Sequence, residues 1–362
     1  MKSDVRLLKG NEAVAEAAVR SGCDGYFGYP ITPQSEILET LMALRPWETS
    51  GMQVVQAESE VAAINMVYGG AAIGRRVMTS SSSPGISLMC EGVSYIAAAS
   101  LPCLIVNVQR GGPGLGTIQP SQGDYFQAVK GGGHGDYHCV VLAPCSVQEM
   151  YDFVFDAFEV AFRYRVPVIM LADGMVGQMM EKVKLTPPRQ RRTQDEIIAE
   201  CDTWALTGRG AHRQRNIVTS LQLQASEQEA VNLQLQAKYR QIESRETRWE
   251  EYRTEDAEWL LVAFGCSARI CRESVDKARR EGLRVGLLRP ITLWPFPSGR
   301  IGELATKVKA MMTVELNAGQ MVEDVRLAVN GRVPVWFYGR MGGVIFAPDE
   351  VLDNLKKQIE SK

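Results

Sequence analysis

Three residues suited to binding acids or moving protons stand where apolar stretches give way to helix-like ones: Thr32, Glu60 and Arg110. Thr32 lies in "GYPITPQSEI", where Pro30 and Pro33 bracket Ile31 and Thr32. Each proline fixes its own φ and pushes the residue before it toward extended geometry, so Tyr29 and Thr32 keep little freedom. Such a corner either starts a helix or presents a hydroxyl and backbone N–H groups to a ligand. Glu60 precedes "VAAINMVYGGAAIG", a run apolar enough that part of its helix must be buried. A carboxylate there is either a capping-box acid or a proton-handling acid whose pKa burial has raised. Arg110 ends the apolar run "CLIVNVQ" and faces the glycines of "GGPGLGTIQPSQGD". Its guanidinium offers a fork for a carboxylate or phosphate while the glycines let backbone come close; the alternative is a salt-bridged arginine beside a flexible lid.

Other chemistry-bearing residues carry weaker signals. His134 and His138, in "GGGHGDYHCV", are ordinary loop or core groups by default, and His134, between glycines, is the better candidate for an active site. Glu58, Ser59 and most of the serines of "TSSSSPG" read as helix caps and dipole partners. The glycine spacing after Arg110 does not fit G-x-G-x-x-G, and no Walker sequence occurs. Eight cysteines are scattered, several inside apolar runs, as expected of buried reduced thiols. The pair in "CSARIC" has no companion and fits neither a zinc module nor a ferredoxin-type run, so no metal site or cluster is expected on this chain.

The elements that must position these residues alternate in type. From residue 10 to about 175, strand-length apolar runs such as "MQVVQA", "RRVMTSS", "CLIVNVQ" and "VPVIMLAD" alternate with helix-like stretches. That rhythm implies a doubly wound, mostly parallel sheet with helices on both faces, and in such sheets ligands collect beyond the carboxyl ends of the strands. At about Lys182 the composition turns polar, and "SEQEAVNLQLQAKYRQIESRETRWEEYR" reads as one charged, weakly amphipathic helix. The rhythm resumes with "EWLLVAFG" and runs to the end. The expected division is an α/β domain over 1–182, a helical connector over 183–256 and a smaller α/β domain over 257–362. A net charge of −2 gives no reason to expect nucleic acid or an anionic membrane as partner. No apolar run reaches the roughly 18 residues of a membrane span, and "MKSDVRLLKG" has no signal-peptide core, so a cytoplasmic location is expected.

Together, "YPITP", "ESE", "TSSSSPG" and "NVQRGGPGLGT" resemble the α subunit of the 2-oxoacid:ferredoxin oxidoreductases, which use thiamine diphosphate. "LLRPITLWPFP", "VELNAGQMVEDVR" and "FYGRMGG" look like the C-terminal domain of the branched-chain type, which acts on 3-methyl-2-oxobutanoate. The resemblance implies a pyrimidine-binding α/β domain followed by a transketolase C-terminal-like domain. It implies that Thr32 and Arg110 bind the 2-oxoacid carboxylate; Ile31, between the prolines, and His134, between glycines, are expected as further substrate contacts. Glu60 would share a proton with the aminopyrimidine ring of the cofactor, with Tyr29 and Pro30 beside it. The Gly-Asp-Gly by which thiamine enzymes hold Mg²⁺-diphosphate is missing. The resemblance assigns that site, and an iron–sulfur cluster, to a β subunit, and onward electron transfer to a ferredoxin-like subunit and ferredoxin. The implied reaction is the oxidative decarboxylation of a 2-oxoacid with coenzyme A to acyl-CoA, CO₂ and reduced ferredoxin. A 2-oxoglutarate enzyme, a thiamine enzyme without ferredoxin and a non-catalytic assembly subunit are the alternatives.

Overall fold

A computed structural model describes residues 4–209 and 214–361. Its larger sheet has seven strands in the spatial order 292–294, 140–142, 167–173, 103–109, 77–81, 25–28, 53–56. All pair in parallel except the first, Thr292–Trp294, which runs antiparallel to Val140–Leu142. The central strands Cys103–Gln109 and Pro167–Asp173 are buried along their whole length, which is why they read as unbroken apolar runs and not as alternating ones. From strand Gly25–Gly28 the chain crosses outward to Gln53–Gln56 and then back past its start to Val77–Ser81. The winding therefore reverses between 25–28 and 77–81, and a reversal leaves a crevice at the strands' carboxyl ends.

The smaller sheet has the order 335–339, 310–315, 259–262, 285–290, 249–252, parallel except for its last strand. Three elements depart from the sequence expectation. Asp4–Lys9 forms a strand, pairing antiparallel with Met180–Leu185, which runs across the expected boundary at Lys182. Trp249–Tyr252, read as the end of the connector helix, is instead an edge strand of the smaller sheet, and the helix stops at Arg245. Thr292–Trp294, from the C-terminal part of the chain, completes the larger sheet. Each pairing joins segments far apart in sequence, where periodicity carries no information. The connector helix, Ala225–Arg245, buries Leu235, Tyr239 and Ile242, a stripe spaced four and three residues apart. Lys238 on it donates to Ser100 Oγ (2.8 Å) and to the Arg165 carbonyl (2.9 Å).

The two sheets are joined by buried polar groups that bond to one another. Gln122, entirely buried, accepts at Oε1 from Ser267 Oγ (2.6 Å) and the Leu316 N–H (3.0 Å) and donates from Nε2 to the Phe264 carbonyl (2.8 Å). Its own N–H donates to the Leu316 carbonyl (3.0 Å), and its carbonyl accepts from Asn317 Nδ2 (2.8 Å). Arg289 grips both oxygens of Glu149 at 2.7 Å and reaches Glu250 at 3.0 Å.

Candidate active site

The four loops that the sequence marks out leave four neighbouring strands, 103–109, 77–81, 25–28 and 53–56, at their carboxyl ends. They carry Arg110, the serine run, Thr32 and Glu60 in turn.

The corner at Thr32 is braced from beneath. Gln34 is fully buried; its Nε2 donates to the Tyr29 carbonyl (3.0 Å), and its Oε1 accepts from Ser80 Oγ (2.6 Å). Ser80 in turn meets Tyr26 Oη at 2.7 Å. Burial raises the pKa of the Tyr26 phenol, so the chain of hydroxyls and amide stays neutral. Tyr29, Pro30 and Thr32 are exposed above this brace and Ile31 is half-buried. Gln34, Ser80 and Tyr26 escaped the sequence reading because nothing local shows that they meet; the one available signal was a glutamine directly after the second proline.

Arg110 closes the corner. Its Nη1 donates to the Thr32 carbonyl (2.9 Å) and its Nη2 to the Leu115 carbonyl (2.9 Å), while Ser83 Oγ accepts from its backbone N–H (3.1 Å). Only 8% of the residue is exposed, its Nε has no hydrogen-bond partner, and no carboxylate pairs with it among the described residues. That removes the salt-bridged alternative. A guanidinium taken out of water without an anion is costly, and the cost is relieved when an anionic ligand arrives. Nearby Asp124 accepts from Asn107 Nδ2 (2.9 Å), and burial pushes its carboxyl up.

Glu60 is the first residue of helix Glu60–Ala72 and is 6% exposed. The cap is Ser59, whose Oγ accepts from the Ala62 N–H (3.2 Å); Ala62, not Glu60, occupies the third helical position. The capping-box role is therefore closed to Glu60, which makes no hydrogen bond or ion pair among the described residues. Beside it the Oγ of Ser81 is buried without a partner; Ser82 Oγ, the next residue along, is also buried without one. Ser82 stands at the cap position of helix Ser83–Ala98 yet makes no side-chain cap, so the capping role expected of these serines holds for Ser59 and not for Ser82. Gly85, in the first turn of that helix, is what lets the helix come this close. A Cβ there would overlap Ser81 Oγ and stand 2.5 Å from Glu60 Oε1. A buried carboxylate with an unpartnered hydroxyl beside it fits a heteroaromatic ring bearing both acceptor and donor nitrogens, as the pyrimidine of thiamine diphosphate does.

The structure does not bring His134 to this cluster. It is exposed, edge-on to Tyr95 with ring centroids 6.3 Å apart. Tyr95 lies toward the far end of helix Ser83–Ala98, about 18 Å along the axis from Ser83 at 1.5 Å per residue. His138 stacks on Trp294 at 4.6 Å and meets Tyr239 edge-on, a packing role in which burial lowers its pKa. All eight cysteines are free, six of them buried, and no group of metal-binding side chains occurs among the described residues.

Residues 16–250 match the family of pyruvate flavodoxin/ferredoxin oxidoreductases, thiamine diphosphate-binding, and residues 257–351 match pyruvate:ferredoxin oxidoreductase core domain II. This chain belongs to that oxidoreductase family. The ketoisovalerate oxidoreductase subunit VorB of Methanothermobacter thermautotrophicus is 51% identical over 97% of this chain and 97% of its own. The 2-oxoglutarate synthase subunit KorA of Methanothermobacter marburgensis is 35% identical over 96% of this chain and 98% of its own. Among solved structures, a 2-oxoglutarate:ferredoxin oxidoreductase from Magnetococcus marinus superposes with a TM-score of 0.86 at 26% identity, over 99% of this chain and 66% of that one. A split-gene transketolase shares the fold, with a TM-score of 0.62 at 14% identity. For an oxidoreductase of this family, the carboxyl-end crest of the larger sheet is where acid, arginine and unpartnered hydroxyls converge.

Proposed function

We propose that this subunit supplies the proton-handling acid and the substrate-carboxylate clamp of a thiamine-diphosphate-dependent 2-oxoacid:ferredoxin oxidoreductase acting on 3-methyl-2-oxobutanoate. The observation that carries the reading is that Arg110, buried without an anion, donates to the carbonyl of Thr32 on the same crest as an unpartnered Glu60. Arg110 Nε and the Thr32 hydroxyl hold the 2-oxoacid by its carboxylate, which leaves one orientation for the keto carbon. Glu60, with no competing hydrogen bond, holds a proton against a ring nitrogen of the cofactor. Ile31, Tyr29 and Pro30 line the approach; His134 has no part in it as the chain stands. Thiamine diphosphate, when bound, supplies the nucleophilic carbon and the electron sink for decarboxylation.

Half of the site belongs elsewhere. No Gly-Asp-Gly occurs in the chain, so the reading places Mg²⁺, the diphosphate site and an iron–sulfur cluster on a partner β subunit, with a ferredoxin-like subunit and ferredoxin taking the electrons and coenzyme A taking the acyl group. Leu115, Ile118 and Met341 stand exposed beside the crest, as expected of a surface that another subunit covers. A division into a larger α/β domain that keeps Met180–Leu185 whole, a helical connector and a smaller α/β domain that takes in Trp249–Tyr252, and a cytoplasmic location, belong to the same proposal; no helix among the described residues is long and apolar enough to cross a membrane.

The choice of acid rests on the higher identity to the ketoisovalerate subunit, 51% against 35% for the 2-oxoglutarate one. The test is viologen reduction by this chain co-expressed with its partner subunits, anaerobically, with thiamine diphosphate, Mg²⁺ and coenzyme A. Turnover is expected to favour 3-methyl-2-oxobutanoate over pyruvate and 2-oxoglutarate. Preference for another acid overturns the substrate, and no turnover with any acid overturns the reaction.

A further inference from the structure

Arg110 is held by a loop, and that loop rests on the second domain. The Thr117 N–H donates to the Gly111 carbonyl (2.8 Å) and the Gly111 N–H to the Gln119 carbonyl (2.9 Å), folding residues 111–119 back against the strand end. Leu115, midway along the loop, supplies the carbonyl that fixes Arg110 Nη2 at 2.9 Å. Wherever the loop moves, the fork moves with it.

Against this loop stands the turn after strand Val335–Gly339 of the smaller sheet. Its first residue, Arg340, is anchored in that domain: the N–H donates to the Glu315 carbonyl (3.3 Å) and Nη1 pairs with Glu350 (2.8 Å). Gly342 and Gly343 then meet the loop backbone to backbone. A Cβ at Gly111 would stand 2.9 Å from the Gly342 carbonyl carbon and 3.1 Å from the Gly343 nitrogen. At Gly343 itself, φ is +95°, and a Cβ would collide with Gln119 Cβ and lie 2.9 Å from Thr117 Oγ1. Such contact leaves no slack for either side to shift alone.

We infer that Gly343 is a positioning residue for 2-oxoacid binding: the turn of the second domain sets the height of loop 111–119, and through Leu115 the aim of the Arg110 fork. The inference rests on the reading of Arg110 as the carboxylate partner. It gives the second domain a role in substrate affinity through a backbone contact.

The test compares Gly343→Ala with Gly331→Ala in the assembled enzyme. Gly331 also has positive φ, +73°, but a Cβ there meets nothing, so it carries the backbone strain without the collision. Gly343→Ala is expected to raise KM for the 2-oxoacid about tenfold or more, as displacements near 1 Å do, with KM for coenzyme A unchanged. Gln119→Gly in the same chain removes the colliding Cβ and is expected to restore much of the loss. Amide exchange at Thr117 and Gly111 is expected to quicken in Gly343→Ala alone. Equal behaviour of the two alanine variants, or no rescue by Gln119→Gly, overturns the inference. Arg110→Lys is measured beside them: an unchanged 2-oxoacid KM there overturns the carboxylate reading itself, while the exchange data still report whether the turn holds the loop.

Discussion

The crest of the larger sheet and the seam between the two sheets both bury polar groups, and they treat them in opposite ways. At the seam, Gln122 uses both ends of its amide and both of its backbone groups. Glu315, also fully buried, accepts from Asn317 Nδ2 (2.9 Å) and from the N–H groups of Met321 (2.8 Å) and Val322 (3.0 Å). At the crest, among the described residues, Glu60 makes no hydrogen bond or ion pair, and Arg110 Nε, Ser81 Oγ and Ser82 Oγ have no hydrogen-bond partner. Buried polar groups that are satisfied hold a fold together, whereas those left unsatisfied cost stability that a ligand can return. The seam spends its polar groups on joining the two sheets; the crest is where the proposed site lies.

The largest expected contrast is between Glu60→Gln and Gln122→Ala. Glu60→Gln keeps the shape and removes the acid, so turnover should fall by about 10²–10⁴-fold, the range of general acid–base catalysis. Its thermal stability should hold or rise, because an unpartnered buried carboxylate has been neutralised. Gln122→Ala should do the reverse, lowering the urea midpoint by an amount equivalent to roughly 1–3 kcal/mol for each buried group left unpaired. A Glu60→Gln enzyme with full turnover, or a Gln122→Ala chain as stable as the parent, would erase the distinction between the regions.

A smaller effect sharpens it through pH. Burial alone would raise the pKa of Glu149, but the two hydrogen bonds and the charge of Arg289 outweigh it and hold the carboxyl below its ordinary range. A depressed carboxylate contributes stability that is present above its unfolded pKa and lost as pH falls through the folded one. Acidification below about pH 4.5 should therefore weaken the seam, and urea midpoints should fall less steeply there in Glu149→Gln than in the parent. Parallel slopes would show that this pair adds nothing to the interface.

The serine run shows how far local reasoning reaches. Helix-start chemistry is set by neighbours within four residues, so the cap at Ser59 was readable from the sequence. Ser82, at the same kind of position, makes no such cap. The crowding of Glu60 against Gly85 and Ser81 was not readable either, because these residues come from different elements and their meeting depends on how two helices cross. His134 failed for a related reason: flanking glycines show that a loop is open, not where it points.

By itself the sequence determined most of the elements and the main candidates. Apolar runs of strand length and helical repeats depend on neighbouring residues, and the prolines and glycines that punctuate them act where they stand. The tertiary structure alone decided that the exits of strands 103–109, 77–81, 25–28 and 53–56 are adjacent, that Arg110 lacks an anion, and that a turn near the end of the chain bears on the loop behind it. Strand order and domain docking are set by pairings between distant segments, whose favourable energy exists only once the chain has closed on itself.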